Sequence, residues 1–222
     1  MPETKFNSWL RWTCYCAAGE FCGLLAVAWP GWLIIRELEP GGSVLARIAE
    51  VVIMMLLGVA EGFVLGWFQW QGWRRLLPQL QLRNWLWATV LAASLAWLLG
   101  TLPTVSLAAG LALQTPHPHA LLILWSGLIG LVFGGVFGGV QWLELKRHSA
   151  HAGLWIPANA LGWCLGLVVL SLETALPLEQ MSVWETGASL LSASLAAGLV
   201  IGGVTGAGVL AALPPVNPRY SE

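Results

Sequence analysis

Residues 58–70 read GVAEGFVLGWFQW, and residues 130–142 read GLVFGGVFGGVQW. Both stretches carry glycine at the first, fifth and ninth positions and end in Gln-Trp, and the second follows the first by 72 residues (58 to 130). Residues 194–206, SLAAGLVIGGVTG, form an eroded third copy 64 residues further on (130 to 194). A repeat of this kind predicts one structural unit that occurs three times and stacks on its neighbours.

The composition is typical of a membrane protein. Of the 222 residues, 57% are hydrophobic and 9% are charged, whereas about 25% are charged in a typical soluble domain. A membrane-spanning helix needs roughly 20 apolar residues. We therefore expect an all-α integral membrane protein, a single transmembrane domain over residues 1–222 in a lipid bilayer. Its six spans are predicted near residues 13–35, 48–70, 85–103, 120–143, 155–172 and 188–212.

The distribution of charge predicts the orientation. Eight of the ten lysines and arginines lie on one side of the predicted arrangement, and only Arg36 and Arg47 lie on the other. Basic loops remain in the cytoplasm, so this multi-pass protein is predicted to have both termini there. The net charge of −1 argues against a basic surface for nucleic acid, which is therefore not an expected partner.

Many of the 15 tryptophans fall near the predicted cytoplasmic ends of the spans. Tryptophan is enriched at membrane interfaces, where its indole N–H reaches the lipid headgroups. We expect this position for Trp9, Trp12, Trp70, Trp73, Trp85, Trp87, Trp142 and Trp155.

A second repeat marks the odd-numbered spans. Each has a tryptophan followed by small residues seven and eleven positions later, starting from Trp12, Trp85 and Trp155. A unit of two helices repeated in one orientation is a parallel repeat. The chain is therefore predicted to form three tandem helical hairpins in a pseudo-threefold bundle, with the hairpins near residues 12–72, 85–144 and 155–212.

The repeated glycines fall on one stripe of each helix, because residues four apart share a helix face. Stripes of small residues let helices approach closely in lipid. We interpret them as packing surfaces rather than as a ligand site. They comprise Gly58, Gly62, Gly66, Gly130, Gly134, Gly138, Gly198, Gly202, Gly19, Gly23, Gly162 and Gly166.

Polar residues recur at one depth near the cytoplasmic ends of the spans. The ends of the three long motifs carry Gln69, Gln141 and Thr205, and the residue four after each odd-span tryptophan is Cys16, Thr89 or Asn159. These six residues are predicted to form a polar ring. Its role is either hydrogen bonding between helices or binding of a ligand headgroup.

Two carboxyls are predicted deep in the first hairpin. Glu20 lies eight residues from Trp12 and Glu61 nine residues from Trp70, roughly 12 and 13.5 Å along their helices. An intramembrane carboxyl is costly and marks a candidate functional site, and no basic residue lies in a predicted span to neutralise this pair. The two side chains either hold protons or bind a cation or a cationic ligand.

The sequence predicts no catalytic residue and no metal site, and it leaves any cofactor unknown. All 11 acidic residues are glutamate, which excludes a Ser/His/Asp triad. His117 and His119 lie in one predicted loop and His148 and His151 in a loop on the opposite side, so each pair is too small for a zinc site. The four cysteines lie in or beside apolar stretches, where they behave as small hydrophobic residues.

The motif small-x3-Gly-x2-Gln-Trp, followed by basic residues and Trp-x2-Ala, resembles a group of uncharacterised polytopic membrane proteins of cyanobacteria and similar bacteria. A closing Gly-x2-Thr-Gly belongs to the same pattern. The resemblance implies a bacterial inner (plasma) or thylakoid membrane setting and carries over no catalytic residue. It covers nearly all six spans and depends on Gly66, Gln69, Trp70, Arg74, Arg75, Trp85 and Ala88, then Gly138, Gln141, Trp142, Lys146, Arg147, Trp155 and Ala158, and finally Gly202, Thr205 and Gly206.

Three classes of function are compatible with these features. The first is a non-enzymatic subunit or assembly partner of a larger membrane complex, with partner proteins or a bound lipid or pigment. The second is a binding or transport protein for a small hydrophobic or cationic ligand, centred on Glu20 and Glu61. The third, disfavoured by the lack of a nucleophilic cluster, is an enzyme that acts on a lipid or isoprenoid. The sequence favours the first class.

Overall fold

A computed structural model describes residues 4–37, 44–100, 118–173 and 182–212. Most of the described residues are helical, and none of them forms a strand. A single 3₁₀ turn, Ala152–Leu154, precedes the fifth helix. The helices are α1 (Lys5–Glu37), α2 (Val44–Trp73), α3 (Leu82–Gly100), α4 (Pro118–Leu145), α5 (Trp155–Glu173) and α6 (Val183–Ala212).

The helices match the predicted spans to within a few residues, except that α1 begins eight residues before the predicted 13. Residues 101–103 of the third predicted span lie outside the described residues. Within the described ranges, five helices, α2 to α6, are long and apolar enough to cross a membrane. The start of α6 is fixed by a capping box, in which the Ser182 backbone N–H donates to Glu185 Oε2 (2.8 Å) and the Glu185 N–H donates to Ser182 Oγ (3.3 Å).

The six helices form a closed ring. Each helix contacts the next one in the chain, and α6 returns to contact α1. The most extensive contacts join α2 to α3, α4 to α5, and α6 to α1. The pairs α1–α2, α3–α4 and α5–α6, which the sequence predicts to be hairpins, are also in contact.

Glycines allow the helices to approach closely at the three most extensive interfaces. A Cβ added at Gly62 of α2 would lie 2.8 Å from Val90 Cα of α3, and one added at Gly198 of α6 would lie 2.8 Å from Ala17 Cα of α1. A Cβ at Gly134 of α4 would overlap the Asn159 backbone oxygen of α5. Backbone therefore lies against backbone at these places, and any side chain would force the helices apart.

The small residues of α1 and α5 face the opposite neighbour. A Cβ added at Gly19 would lie 3.0 Å from Leu65 of α2, and one added at Gly166 would lie 2.6 Å from Ile201 of α6. Gly23 faces Glu61 in the same way, at 3.1 Å from its Cγ. Both α1 and α5 are therefore packed closely on two sides, which leaves little freedom for them to slide past their neighbours.

The structure corrects the prediction for four of the tryptophans. Trp12, Trp73, Trp85 and Trp155 have no exposed surface and meet in edge-to-face contacts, with ring centroids 5.3–6.2 Å apart. They fill the centre of one end of the bundle instead of reaching headgroups. The cause is geometric. Trp12, Trp85 and Trp155 share a stripe with the small residues of their odd-numbered helices, and Trp73 continues the stripe that ends in Gln69 on α2. Trp87, by contrast, is 68% exposed.

We predict that Gly134→Ala and Gly135→Ala differ in stability although they are adjacent. The added methyl at Gly134 overlaps backbone of α5, whereas a Cβ at Gly135 meets nothing within 4 Å. Gly134→Ala should lower the free energy of unfolding by about 1–3 kcal/mol, and Gly135→Ala should leave it unchanged or raise it by about 0.5–1 kcal/mol through helix propensity. Unfolding in mixed micelles by SDS titration measures both values, and equal losses would contradict the packing described.

Candidate functional site

A polar network crosses the bundle one layer above the buried tryptophans. Gln141 Nε2 donates to Gln69 Oε1 (2.9 Å) and to Thr89 Oγ1 (3.0 Å), and Gln141 Oε1 accepts from Trp155 Nε1 (3.0 Å). These bonds join α2, α3, α4 and α5. Gln141 has no exposed surface, so its amide is fully occupied in holding helices together.

Two other members of the predicted ring, Thr205 and Asn159, make hydrogen bonds outside this network. Thr205 Oγ1 accepts from Trp12 Nε1 (2.9 Å), which joins α6 to α1. Asn159 Nδ2 donates to the Trp155 carbonyl of its own helix (2.9 Å). The ring is therefore a set of hydrogen bonds within the closed end of the bundle, and none of its residues lines the cavity described below.

The even-numbered helices build this end of the bundle in layers spaced by four residues. Each layer takes one side chain from α2, α4 and α6, and all of these side chains are buried. From the end inward, the layers are Trp73, Leu145 and Val209; then Gln69, Gln141 and Thr205; then Leu65, Phe137 and Ile201.

The next layer surrounds a central cavity of about 460 Å³. All six helices line it, and Phe137 and Ile201 form part of its wall next to the polar network. From there the lining extends to Glu50, Gly100 and Leu170, toward the end of the bundle opposite the tryptophans. Glu50 and Gly100 are exposed in the described part of the chain. A volume of 300–1,000 Å³ is usual for small-molecule sites.

The structure brings Glu20 and Glu61 into this cavity. Glu61 lies against Gly23, one helical turn along α1 from Glu20. Glu61 Oε2 accepts a hydrogen bond from Trp97 Nε1 of α3. Glu20 is 8% exposed, and its Oε1 has no hydrogen-bond partner among the described residues. Helices α1 and α2 thus place two carboxyls in one cavity.

A comparison with Glu144 shows what is unusual about Glu20. Glu144 is equally buried, at 7% exposure, but it accepts from Asn84 Nδ2 (3.0 Å) and Arg147 Nη1 (2.9 Å) and lies 3.3 Å from His148 Nε2. These partners satisfy a structural carboxyl that ties α3 to the end of α4. Glu20 has no such set of partners and faces a cavity instead.

Glu50 is a third carboxyl of the cavity, and sequence analysis missed it. It precedes Glu61 by 11 residues on α2, which is three helical turns, and so it lies on the same helix face roughly 16 Å away. That spacing can be read from the sequence and places Glu50 on the helix face that carries Glu61. The lone basic residue of α2, Arg47, is exposed and lies outside the cavity lining.

The remaining wall of the cavity is aromatic and aliphatic. Trp97, Phe133, Phe137 and Trp163 all line it, and the Phe137 and Trp163 rings pack with centroids 5.1 Å apart. Among the described residues that line the cavity there is no lysine, arginine or histidine.

The repeat-equivalent positions of the two carboxyls also face the cavity. Those of Glu20 are Ala93 and Trp163, and those of Glu61 are Phe133 and Ala197. Six equivalent positions therefore converge on one space, and only the first hairpin fills its two with acids. The asymmetry of the sequence becomes an asymmetry of the cavity, acidic at α1 and α2 and aromatic at α3, α4 and α5.

The described residues contain no group of three or more histidine, cysteine, aspartate or glutamate side chains placed to hold a metal ion. His148 lies beside Glu144, and His119 is exposed at the start of α4. His117 lies outside the described residues. Of the cysteines, Cys16 is buried among the layers and Cys14 is exposed.

Comparison of the chain with protein-family models, with curated proteins and with solved structures finds no match. The cavity and its side chains therefore carry the functional argument.

We predict that Gln141→Met destabilises the bundle. The substitution keeps most of the side-chain volume but removes two donated bonds and leaves Trp155 Nε1 buried without its acceptor. The expected loss in unfolding free energy is about 1–3 kcal/mol. Gln79→Met, at an exposed position of the same residue type, is the matched control and should change stability little. A loss no larger than the control's, measured by thermal unfolding in detergent, would show that the network is not structural.

Proposed function

We propose that this protein is an integral membrane binding or transport protein for a small hydrophobic or cationic molecule. The observation that supports the proposal best is the central cavity of about 460 Å³, which contains the buried carboxyl Glu20, the half-buried carboxyl Glu61 and no basic side chain among its described lining residues. A buried carboxyl without a partner is costly unless a proton or a ligand satisfies it.

In this proposal the chain forms three tandem hairpins around a pseudo-threefold axis. The contacts of equivalent residues support this arrangement, since Gly62, Gly134 and Gly198 meet the backbone at equivalent places on α3, α5 and α1. The layers of side chains from α2, α4 and α6 repeat with the same spacing. The glycine-rich motifs then serve to close the hairpins on one another.

We further propose that α1 spans the membrane together with the five other helices. It has 33 residues and packs between α2 and α6, which are both apolar enough to cross. The tryptophan end then faces the cytoplasm with both termini, as the basic residues indicate, in a bacterial inner or thylakoid membrane. The cavity lies in the outer half of the bundle.

This placement supports a specific direction of access. The cytoplasmic half is closed by three packed layers, whereas the described cavity lining continues toward the outer end. A ligand would therefore bind from the outer side in this conformation. Transport would additionally require the tryptophan and glutamine layers to separate, so the conformation described corresponds to the bound or outward-accessible state of such a cycle.

We predict that Ala197→Phe blocks binding. Ala197 lines the cavity, and the substitution introduces the ring that its repeat-equivalent Phe133 already carries. Two ligands of the same shape serve as probes, benzyltrimethylammonium and its neutral isostere neopentylbenzene. At a hundredfold excess over Kd, at least one of them should raise the melting temperature of the unmodified protein by about 5–10 °C and should not raise that of the variant.

Leu199→Phe is the matched control, because Leu199 lies on the same helix but is 46% exposed. It should respond to the probes as the unmodified protein does. The proposed function is overturned if neither probe stabilises the unmodified protein, or if Ala197→Phe responds as strongly as Leu199→Phe.

The two other roles considered from the sequence stay predictions. A subunit of a larger complex would migrate in stoichiometric amounts with its partners during native purification in mild detergent. A lipid- or isoprenoid-modifying enzyme would need further convergent polar groups beyond the glutamates and Ser194 that line the cavity.

A further inference from the structure

We propose that the cavity selects an organic monocation that carries an aromatic or aliphatic body, with its cationic group at Glu20 and Glu61. This inference rests on the proposed function and narrows it from a small hydrophobic or cationic molecule to one ligand class. It also assigns an orientation, with the charged end toward α1 and α2 and the apolar body toward α4 and α5.

The need for a positive charge comes from Glu20. Its Oε1 is buried, lines the cavity and has no partner among the described residues. The hydrogen bond that the structure shows between Glu20 and α6 goes to its backbone and not to its carboxyl, because the Glu20 backbone oxygen accepts from Ser194 Oγ (3.3 Å). The carboxyl is therefore available to a ligand, and a cationic group is the partner that satisfies it best in a low-dielectric site.

Glu61 is held in position for the same ligand. The Trp97 indole N–H donates to its Oε2, and the small residue Gly23 lies against its Cγ. Trp97 replaces the leucine found at the equivalent positions Leu24 and Leu167, both of which also line the cavity. The hydrogen-bonding tryptophan thus occurs in the one copy that faces Glu61 from α3.

A bare metal ion does not suit this wall. Ca²⁺ takes six to eight oxygen ligands, and Mg²⁺ requires near-octahedral oxygen coordination. The described lining offers oxygen-bearing side chains only at Glu20, Glu50, Glu61 and Ser194. Of these, Glu50 lies roughly 16 Å along α2 from Glu61. A cavity of about 460 Å³ is also far larger than the coordination sphere of one ion.

The aromatic side of the cavity accounts for the body of the ligand. Three of its rings, those of Phe133, Phe137 and Trp163, belong to α4 and α5, across the cavity from the carboxyls. Trp97 lies beside the carboxyls and bonds to Glu61. Aromatic faces attract organic cations through their quadrupoles and also cover apolar groups. The combination of buried carboxyls and several aromatic rings is the usual chemistry for recognising quaternary and alkylated ammonium groups.

A single net positive charge matches the site. When the two carboxyls of the cavity hold one proton between them they carry one negative charge, which a monocation neutralises. Glu50, exposed at the outer part of the lining, adds negative potential along the path from that end. Such a potential raises the local concentration of cations and not that of neutral molecules.

The test compares three ligands by equilibrium dialysis against the purified full-length protein. Benzyltrimethylammonium has the charge and the ring, neopentylbenzene has the ring without the charge, and tetramethylammonium has the charge without the ring. Benzyltrimethylammonium should bind about tenfold or more tightly than either neopentylbenzene or tetramethylammonium. NaCl and CaCl₂ should not displace it beyond the effect of ionic strength.

The double variant Glu20→Gln with Glu61→Gln should weaken benzyltrimethylammonium binding about tenfold or more, while neopentylbenzene affinity stays within about threefold. The retained neutral probe shows that the cavity is still folded. Glu144→Gln, a buried glutamate outside the cavity, is the control and should leave both affinities unchanged. Trp97→Leu should weaken the cationic probe more than the neutral one.

Each contrary outcome has a definite meaning. Equal affinity for benzyltrimethylammonium and neopentylbenzene overturns the cation assignment but leaves a hydrophobic binding protein. Displacement by Na⁺ or Ca²⁺ at low concentration overturns it in favour of an inorganic ion. Loss of all binding in Glu144→Gln but not in the double variant places the site elsewhere. Failure of every probe on the unmodified protein removes the proposed function itself.

Discussion

Backbone contact between helices is the constraint on which the rest of this structure depends. At Gly62, Gly134 and Gly198 the facing helix lies so close that a single methyl group would overlap its backbone or come within 2.8 Å of it. In lipid there is no hydrophobic drive to bring helices together, so such contacts gain their energy from close van der Waals packing. Three of them, placed around the ring, fix the distances between the six helices.

The distances that the glycine contacts fix between the helices also explain why one half of the bundle is fully packed while the other half contains a cavity. Toward the tryptophan end the axis is filled by large side chains, with four tryptophans and the glutamine pair in successive layers. One helical turn beyond Phe137 and Ile201, the axis positions carry a mixture of Glu61, Phe133 and Ala197. These side chains differ in size and charge, and they do not fill the space that the glycine contacts define.

The sequence was sufficient to predict the helices, because each is a long apolar run bounded by charged or turn-forming residues. It also indicated the shared stripe of Trp12, Gly19 and Gly23, yet the tryptophans were assigned to the lipid interface by their position near helix ends. The stripe was the better guide, since residues on the face that packs against neighbouring helices become buried. Depth along the helix alone does not separate an axial tryptophan from a lipid-facing one such as Trp87.

The cavity was beyond prediction for a different physical reason. Its volume depends on side chains from all six helices, and no single repeat determines it. The sequence singled out Glu20 and Glu61 as places where the repeat fails, but their convergence depends on how α1 packs on α2. For the polar ring the sequence left two roles open, interhelical hydrogen bonding and ligand binding. In the structure Gln69, Gln141 and Thr205 lie in the closed end of the bundle and find partners in one another and in tryptophans.

Infrared difference spectroscopy, recorded on adding benzyltrimethylammonium to the protein in lipid, observes the carboxyls of Glu20 and Glu61 directly. If the cation binds at these carboxyls, their stretching bands should change in the unmodified protein and in Glu144→Gln. The change should disappear in Glu20→Gln and in Glu61→Gln. A ligand-bound protein whose carboxyl bands do not change, or change equally in all three variants, would contradict binding at these carboxyls.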